Sequence, residues 1–174
     1  MNIDTKGVWW FVLHCILVSV LFSVTKHILN RFHIFELIFS QTLLSTIFLA
    51  PFIIKKFKNQ RINAHSLGLH AIRSLFWVGG SAMYFYAITQ INLTKAIASS
   101  FTIPIFTSLL AIVMLKEQIS KSRILSLIVG FIGMLIIIQP GYGYEVGTLY
   151  AIGSALLWSV TNIVIKILGR THNI

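Results

Sequence analysis

Residues 96–138 read AIASSFTIPIFTSLLAIVMLKEQISKSRILSLIVGFIGMLIII. They contain two apolar runs, 101–115 and 125–138, joined by a short segment that carries three basic residues. Neither run alternates polar and apolar residues as a barrel strand does. Hydrocarbon offers no hydrogen-bond partners, so a continuous apolar run must satisfy its backbone groups within a helix. The two runs are therefore predicted to be membrane-spanning helices.

Similar apolar runs lie on both sides of this stretch. Their lengths are close to the roughly 20 residues that cross a bilayer core as a helix. The predicted fold class is an all-α polytopic membrane helix bundle with six transmembrane helices. The predicted spans are residues 7–28, 34–54, 67–88, 96–115, 124–138 and 146–168.

Composition supports a lipid environment and argues against catalysis. Of the 174 residues, 56% are hydrophobic and 10% are charged, whereas soluble domains carry about 25% charged residues. The sequence has no Walker loop, its four acidic residues have no metal-ligand spacing, and Cys15 is its one cysteine. We therefore expect the lipid bilayer as a partner, and no enzyme activity, no cofactor and no metal site.

The basic residues indicate topology. The formal net charge is +10, but the basic residues lie between the apolar runs, as positive-inside sorting requires, so no nucleic-acid partner is expected. With the N-terminus inside, 10 of them fall on the inner side and 3 on the outer side. Both termini of a multi-pass protein in a bacterial inner membrane are therefore predicted to be cytoplasmic.

An internal repeat is visible at an offset of 140 residues. It aligns GVWWFVLHCILVSVLFSVTKHIL, from residue 7, with GTLYAIGSALLWSVTNIVIKILG, from residue 147, and matches Ser19 with Ser159 and Lys26 with Lys166. One repeat would hold five spans, an odd number, so the second copy would enter the membrane from the opposite side, as in inverted-repeat carriers. Chance similarity between apolar segments is the alternative. The predicted repeats are residues 7–141 and, incompletely, 146–174.

Two segments between Arg73 and Gly141 read AITQINLTKAIASSFTIPIFTSLLAIVMLKEQI and GFIGMLIIIQPG. This stretch resembles the EamA-type transporters of the drug/metabolite transporter superfamily. The residues that match the family pattern are Pro104, Glu117, Gly130, Gly133, Pro140 and Gly141. The family's frequent arginine early in span two is replaced here, in the region of Gln41. FHIFELIFSQTLLSTIFLAPFI and SFTIPIFTSLLA further resemble the branch that takes up S-adenosylmethionine.

The resemblance implies a secondary carrier of small polar or amphipathic metabolites that works by alternating access. It also implies two five-span repeats, about 280 residues, so four spans are expected to come from elsewhere, for example from a partner chain. The alternative is a truncated, transport-inactive membrane protein or a subunit that needs that partner. A chain with one repeat could rebuild a carrier only if its copies inserted in both orientations and paired. The excess of basic residues on one side opposes this, so we expect this chain alone to carry no substrate.

Candidate substrate-lining residues come from three spans. In span four, Pro104 should kink the helix beside Ser99 and Thr102 and free a carbonyl for a cavity wall. In span three, Trp77 and Tyr84 offer aromatic faces. In span one, polar side chains form a stripe that includes Ser19 and Lys26. The alternative is that the hydroxyls only hydrogen-bond to the backbone of their own helix and that the aromatic rings only pack against neighbouring helices.

Two further sets of residues have other predicted roles. His14, Arg73 and Glu117 are candidates for gating or proton coupling, because ionisable groups within spans are costly. Arg73 could instead anchor to inner headgroups, and Glu117 could only balance a basic loop. Ser126, Gly130 and Gly133 form a stripe of small residues in span five that is predicted to pack closely against another helix.

Overall fold

The computed structural model describes residues 5–29, 31–57, 64–139 and 145–171. This part of the chain consists of helices and short connections, which confirms the predicted all-α membrane bundle. Pro140 and Gly141, and the basic Lys58 and Arg61, lie outside the described residues. The helices are α1 (Thr5–Ile28), α2 (Ile34–Phe57), α3 (Ala64–Gln90), α4 (Leu93–Ser100), α5 (Ile103–Leu115), α6 (Lys121–Ile138) and α7 (Val146–Thr171).

Five segments of the described chain are long and apolar enough to cross a membrane. They are residues 7–28, 34–52, 93–115, 121–138 and 146–170. The predicted third span, 67–88, lies within α3, which has 27 residues but is not among the five. His70, Arg73 and several small residues lower its mean hydropathy. Much of the second half of α3 is instead buried against protein.

The predicted fourth span is broken rather than only kinked. Helix α4 ends at Ser100 and α5 begins at Ile103. Between them, the Phe101 and Thr102 N–H groups donate to carbonyls three residues back, at 3.0 and 3.1 Å. Pro104 is the second residue of α5, where a missing N–H costs nothing because the first turn has no intrahelical acceptor for it.

Helix α7 is the central element, with α3, α4 and α5 packed around it. Its contact with α3 is close because glycines stand where the helices meet. A Cβ on Gly80 would lie 2.8 Å from Trp158 Cδ1, and a Cβ on Gly147 would lie 2.7 Å from Ile91 Cγ2. Small residues allow such close approach where lipid provides no hydrophobic driving force.

The predicted packing stripe of α6 makes no such contact in the described chain. Apart from chain neighbours and the backbone of α6 itself, no heavy atom of the described residues lies within 4 Å of a Cβ built on Gly130 or on Gly133. The Ser126 hydroxyl is exposed and donates to the Ser122 carbonyl of its own helix at 3.1 Å. The close small-residue contact is thus between α3 and α7, and a packing role for the α6 stripe stays a prediction.

Candidate functional site

A cavity of about 610 Å³ lies between α1, α2 and α3. Its wall combines apolar side chains with an arginine, an amide and several hydroxyls, and it includes no acidic residue. A polar wall among membrane helices is typical of a ligand site or a conduction path. The lining residues are Leu21 of α1, Gln41, Thr42, Leu44 and Ser45 of α2, and Arg73, Ser74, Trp77 and Val78 of α3.

Arg73 and Trp77 are the two predicted site residues that the structure brings together in this cavity. They are four residues apart, so they share one face of α3. The Arg73 Nε atom is buried and has no hydrogen-bond partner among the described residues. The Trp77 side chain is 38% exposed. The cavity therefore presents a guanidinium group and an indole ring side by side.

Tyr84 lies in the core instead of on the cavity wall. It is fully buried, with ring centroids 5.0 Å from Phe22 and 5.1 Å from Trp158. These neighbours belong to α1 and α7, so Tyr84 joins three helices by aromatic packing. For Tyr84 the structure favours the packing interpretation.

The hydroxyl groups at the helix break bond to their own backbone. Ser99 donates to the Lys95 carbonyl at 2.9 Å, and Thr102 donates to the Ser99 carbonyl at 2.7 Å. Both side chains are buried. Ser159 of α7 lies 3.0 Å from the Ile103 carbonyl oxygen, which links α7 to the start of α5. These groups, with Pro104, form a structural joint and do not line the cavity.

The predicted residues of α1 also stand apart from the cavity wall. Ser19 donates to the Cys15 carbonyl of its own helix at 2.8 Å, and His14 is exposed. The Lys26 ammonium donates to the Ile91 carbonyl at 3.1 Å, which ties the end of α1 to the end of α3. Leu21 is the residue through which α1 contributes to the wall.

Glu117 pairs with two basic residues at the end of α7. Its carboxylate accepts from Lys166 at 2.5 Å and from Arg170. The hydrogen bond from Lys166 lowers the pKa of Glu117, and the nearby positive charges act in the same direction. The carboxylate therefore keeps its charge, and both pairs, to a lower pH than an isolated glutamate would. At the other end of α7, Lys95 pairs with Glu145 at 3.0 Å.

Part of the cavity wall is not predicted by any sequence pattern: Thr42, Ser45 and Ser74. Gln41, where the family pattern departs, also lines the wall. A polar residue within an apolar run, as Gln41 is in span two, was the available signal. It could not show which helix the amide would face.

The helices and the cavity define a multi-pass helical membrane protein with a polar internal site. Residues 5–139 match the EamA-like transporter family. The chain belongs to this family, which confirms the resemblance seen in the sequence. It is a family of transporters, so the prediction that the chain is not an enzyme is also confirmed.

Several relatives are similar over most of the chain. An S-adenosylmethionine uptake transporter of Rickettsia prowazekii is 31% identical over 162 residues, which cover 92% of this chain and 55% of that protein. A riboflavin transporter of Brucella anthropi is 32% identical over 133 residues, which cover 76% of this chain and 46% of that protein. The chain thus spans about half the length of these relatives. No solved structure matches it.

Proposed function

We propose that this chain forms the substrate-binding part of a secondary carrier for small polar or amphipathic metabolites. The observation that carries the proposal is the cavity between α1, α2 and α3, whose wall includes Arg73, Gln41 and Trp77. Polar groups are costly at membrane depth, so their convergence on one cavity indicates a ligand.

The packing suggests which parts move. Helix α7 contacts α3, α4 and α5, and ion pairs join its two ends to Lys95 of α4 and to Glu117 after α5. Within the span windows of α1 and α2, only 0% and 6% of the residues are buried. Alternating access then consists of α1 and α2 shifting against the α3–α5–α7 unit, which opens the cavity between them to one side.

S-adenosylmethionine is the first candidate substrate, because it is the cargo named for several relatives. Its amino-acid carboxylate suits the Arg73 guanidinium, and its sulfonium and adenine suit the Trp77 ring. Riboflavin, the cargo named for other relatives, is the second candidate. Its flat, uncharged ring system would use Trp77 and Gln41 without the arginine.

A second proposal is that the chain binds substrate but needs a partner chain for transport. Large apolar side chains are exposed all along α1, and the basic bias opposes pairing of oppositely inserted copies. The two proposals are separated by offering labelled S-adenosylmethionine and riboflavin to the chain in nanodiscs, to measure binding, and in liposomes, to measure uptake. Saturable binding with uptake supports a carrier, binding without uptake supports a subunit, and no binding of either probe contradicts both.

We further propose that the chain lies in a bacterial inner membrane with both termini in the cytoplasm. The excess of basic residues on the predicted inner side, 10 against 3 on the outer side, supports this orientation. Glu117, Lys166 and Arg170, all assigned to the inner side, meet in the structure. Alkaline phosphatase fused after Ile174 is therefore expected to be inactive, and a fluorescent protein fused there is expected to be bright. An active phosphatase fusion contradicts the orientation.

A further inference from the structure

Arg73 has no counter-ion among the described residues. The carboxylates of this part of the chain are engaged elsewhere: Glu117 pairs with Lys166 and Arg170, and Glu145 pairs with Lys95. Glu36 accepts the His33 N–H at 2.9 Å at the start of α2. The cavity wall supplies neutral groups around Arg73, and its Nε atom remains buried without an acceptor.

The position of Arg73 in α3 argues against simple anchoring at the membrane surface. It is the tenth of 27 residues, four residues from the helix midpoint at Trp77. At 1.5 Å per residue, its Cα lies about 6 Å from the bilayer centre when the helix midpoint lies there. The hydrocarbon half-thickness is about 15 Å, so at that placement the Arg73 Cα lies well inside the hydrocarbon, and a guanidinium that stays in the cavity needs a partner.

We infer that Arg73 binds an oxyanion in the cavity: the carboxylate of a metabolite, or the phosphate of a phospholipid headgroup. This inference rests on the proposed function, because the same cavity is the substrate site. A guanidinium group can donate two parallel hydrogen bonds to a carboxylate or phosphate, and Gln41 supplies a further donor. Trp77, one turn along, adds a flat surface for the rest of the ligand. The preferred ligand therefore combines an anionic group with a planar or cationic one.

Matched probes test the carboxylate. Wild type, Arg73→Gln and Arg73→Lys are placed in nanodiscs and titrated with S-adenosylmethionine and with its decarboxylated form. We expect wild type to bind the carboxylate-bearing probe about tenfold more tightly, the typical effect of a charge-assisted hydrogen bond. Arg73→Gln should remove this preference, and Arg73→Lys should keep part of it. Arg123→Gln, an exposed substitution in α6, is the control and should change neither affinity.

A lipid arm distinguishes the two sources of the oxyanion. If native mass spectra show a phospholipid that wild type retains and Arg73→Gln loses, the oxyanion is a lipid headgroup. If wild type binds the carboxylate-bearing probe more tightly than the decarboxylated one, the oxyanion belongs to a metabolite. Equal affinity for both probes in wild type, with the same retained lipid in both proteins, overturns the inference and leaves the cavity as a binding site. Failure of wild type to bind either probe, with no Arg73-dependent lipid, overturns the inference and the metabolite site together.

Discussion

Replacing Gly80 by leucine is expected to destabilise the bundle by about 1–3 kcal/mol or more, because the new side chain has no free space. A Cβ at this position would lie 2.8 and 2.9 Å from Trp158 ring atoms and 3.3 Å from the Ser154 carbonyl oxygen. The Trp158 ring cannot simply turn aside, since it packs against Tyr84, which in turn packs against Phe22. The thermal midpoint of the detergent-purified protein, followed by size-exclusion chromatography, measures the effect.

Gly130→Leu is the matched control for this experiment. It makes the same chemical change in a membrane helix, but apart from chain neighbours and the backbone of α6 itself, no heavy atom of the described chain lies within 4 Å of its Cβ position. Leucine is also a better helix former than glycine, so this variant should keep or raise the midpoint. A larger loss at Gly130 than at Gly80 would mean that α6, and not the α3–α7 contact, is the tightly packed interface.

These glycines show how far sequence could predict the fold. The apolar runs predicted the helices, because length and hydropathy suffice to recognise a span. The helix partners could not be predicted in this way, because small-residue stripes occur in spans three, five and six alike. Lipid contact and helix contact demand similar compositions, so only the assembled bundle shows that Gly80 is enclosed and that Gly130 has open space beside it among the described residues.

The joint in span four and the cavity show the same limit for function. Pro104 predicted a disturbed helix, since a proline cannot donate to the carbonyl four residues back. The expected use of that disturbance, a cavity wall of Ser99 and Thr102, stays unsupported, because both hydroxyls are buried and bonded within their own segment. The cavity instead lies between α1, α2 and α3, where Gln41 of α2 and Arg73 of α3 line the same wall. That shared wall depends on the rotation of α2 against α3, which no local pattern encodes.

Trp77→Ala is expected to weaken binding of every probe that has a planar or cationic part, by about two- to thirtyfold. A cation or ring on an indole face contributes about 0.5–2 kcal/mol, and the ring contributes to the cavity wall. This pattern differs from that of Arg73→Gln, which should affect only the carboxylate-bearing probe. Equilibrium titration in nanodiscs with S-adenosylmethionine, its decarboxylated form and riboflavin measures both variants. Trp77→Phe should retain part of the affinity, because a smaller ring still stacks.

The control for this last prediction is Trp10→Ala. Trp10 is 71% exposed near the start of α1 and is not part of the cavity wall, so its loss should leave all three affinities unchanged. Equal weakening by Trp10→Ala and Trp77→Ala would indicate a general effect on the membrane helices instead of a site. Unchanged affinities in Trp77→Ala would remove the ring from the site, and the carboxylate preference would then depend on Arg73 and Gln41 alone. The two residues of α3 can thus be tested separately, although they lie on one turn of the same helix.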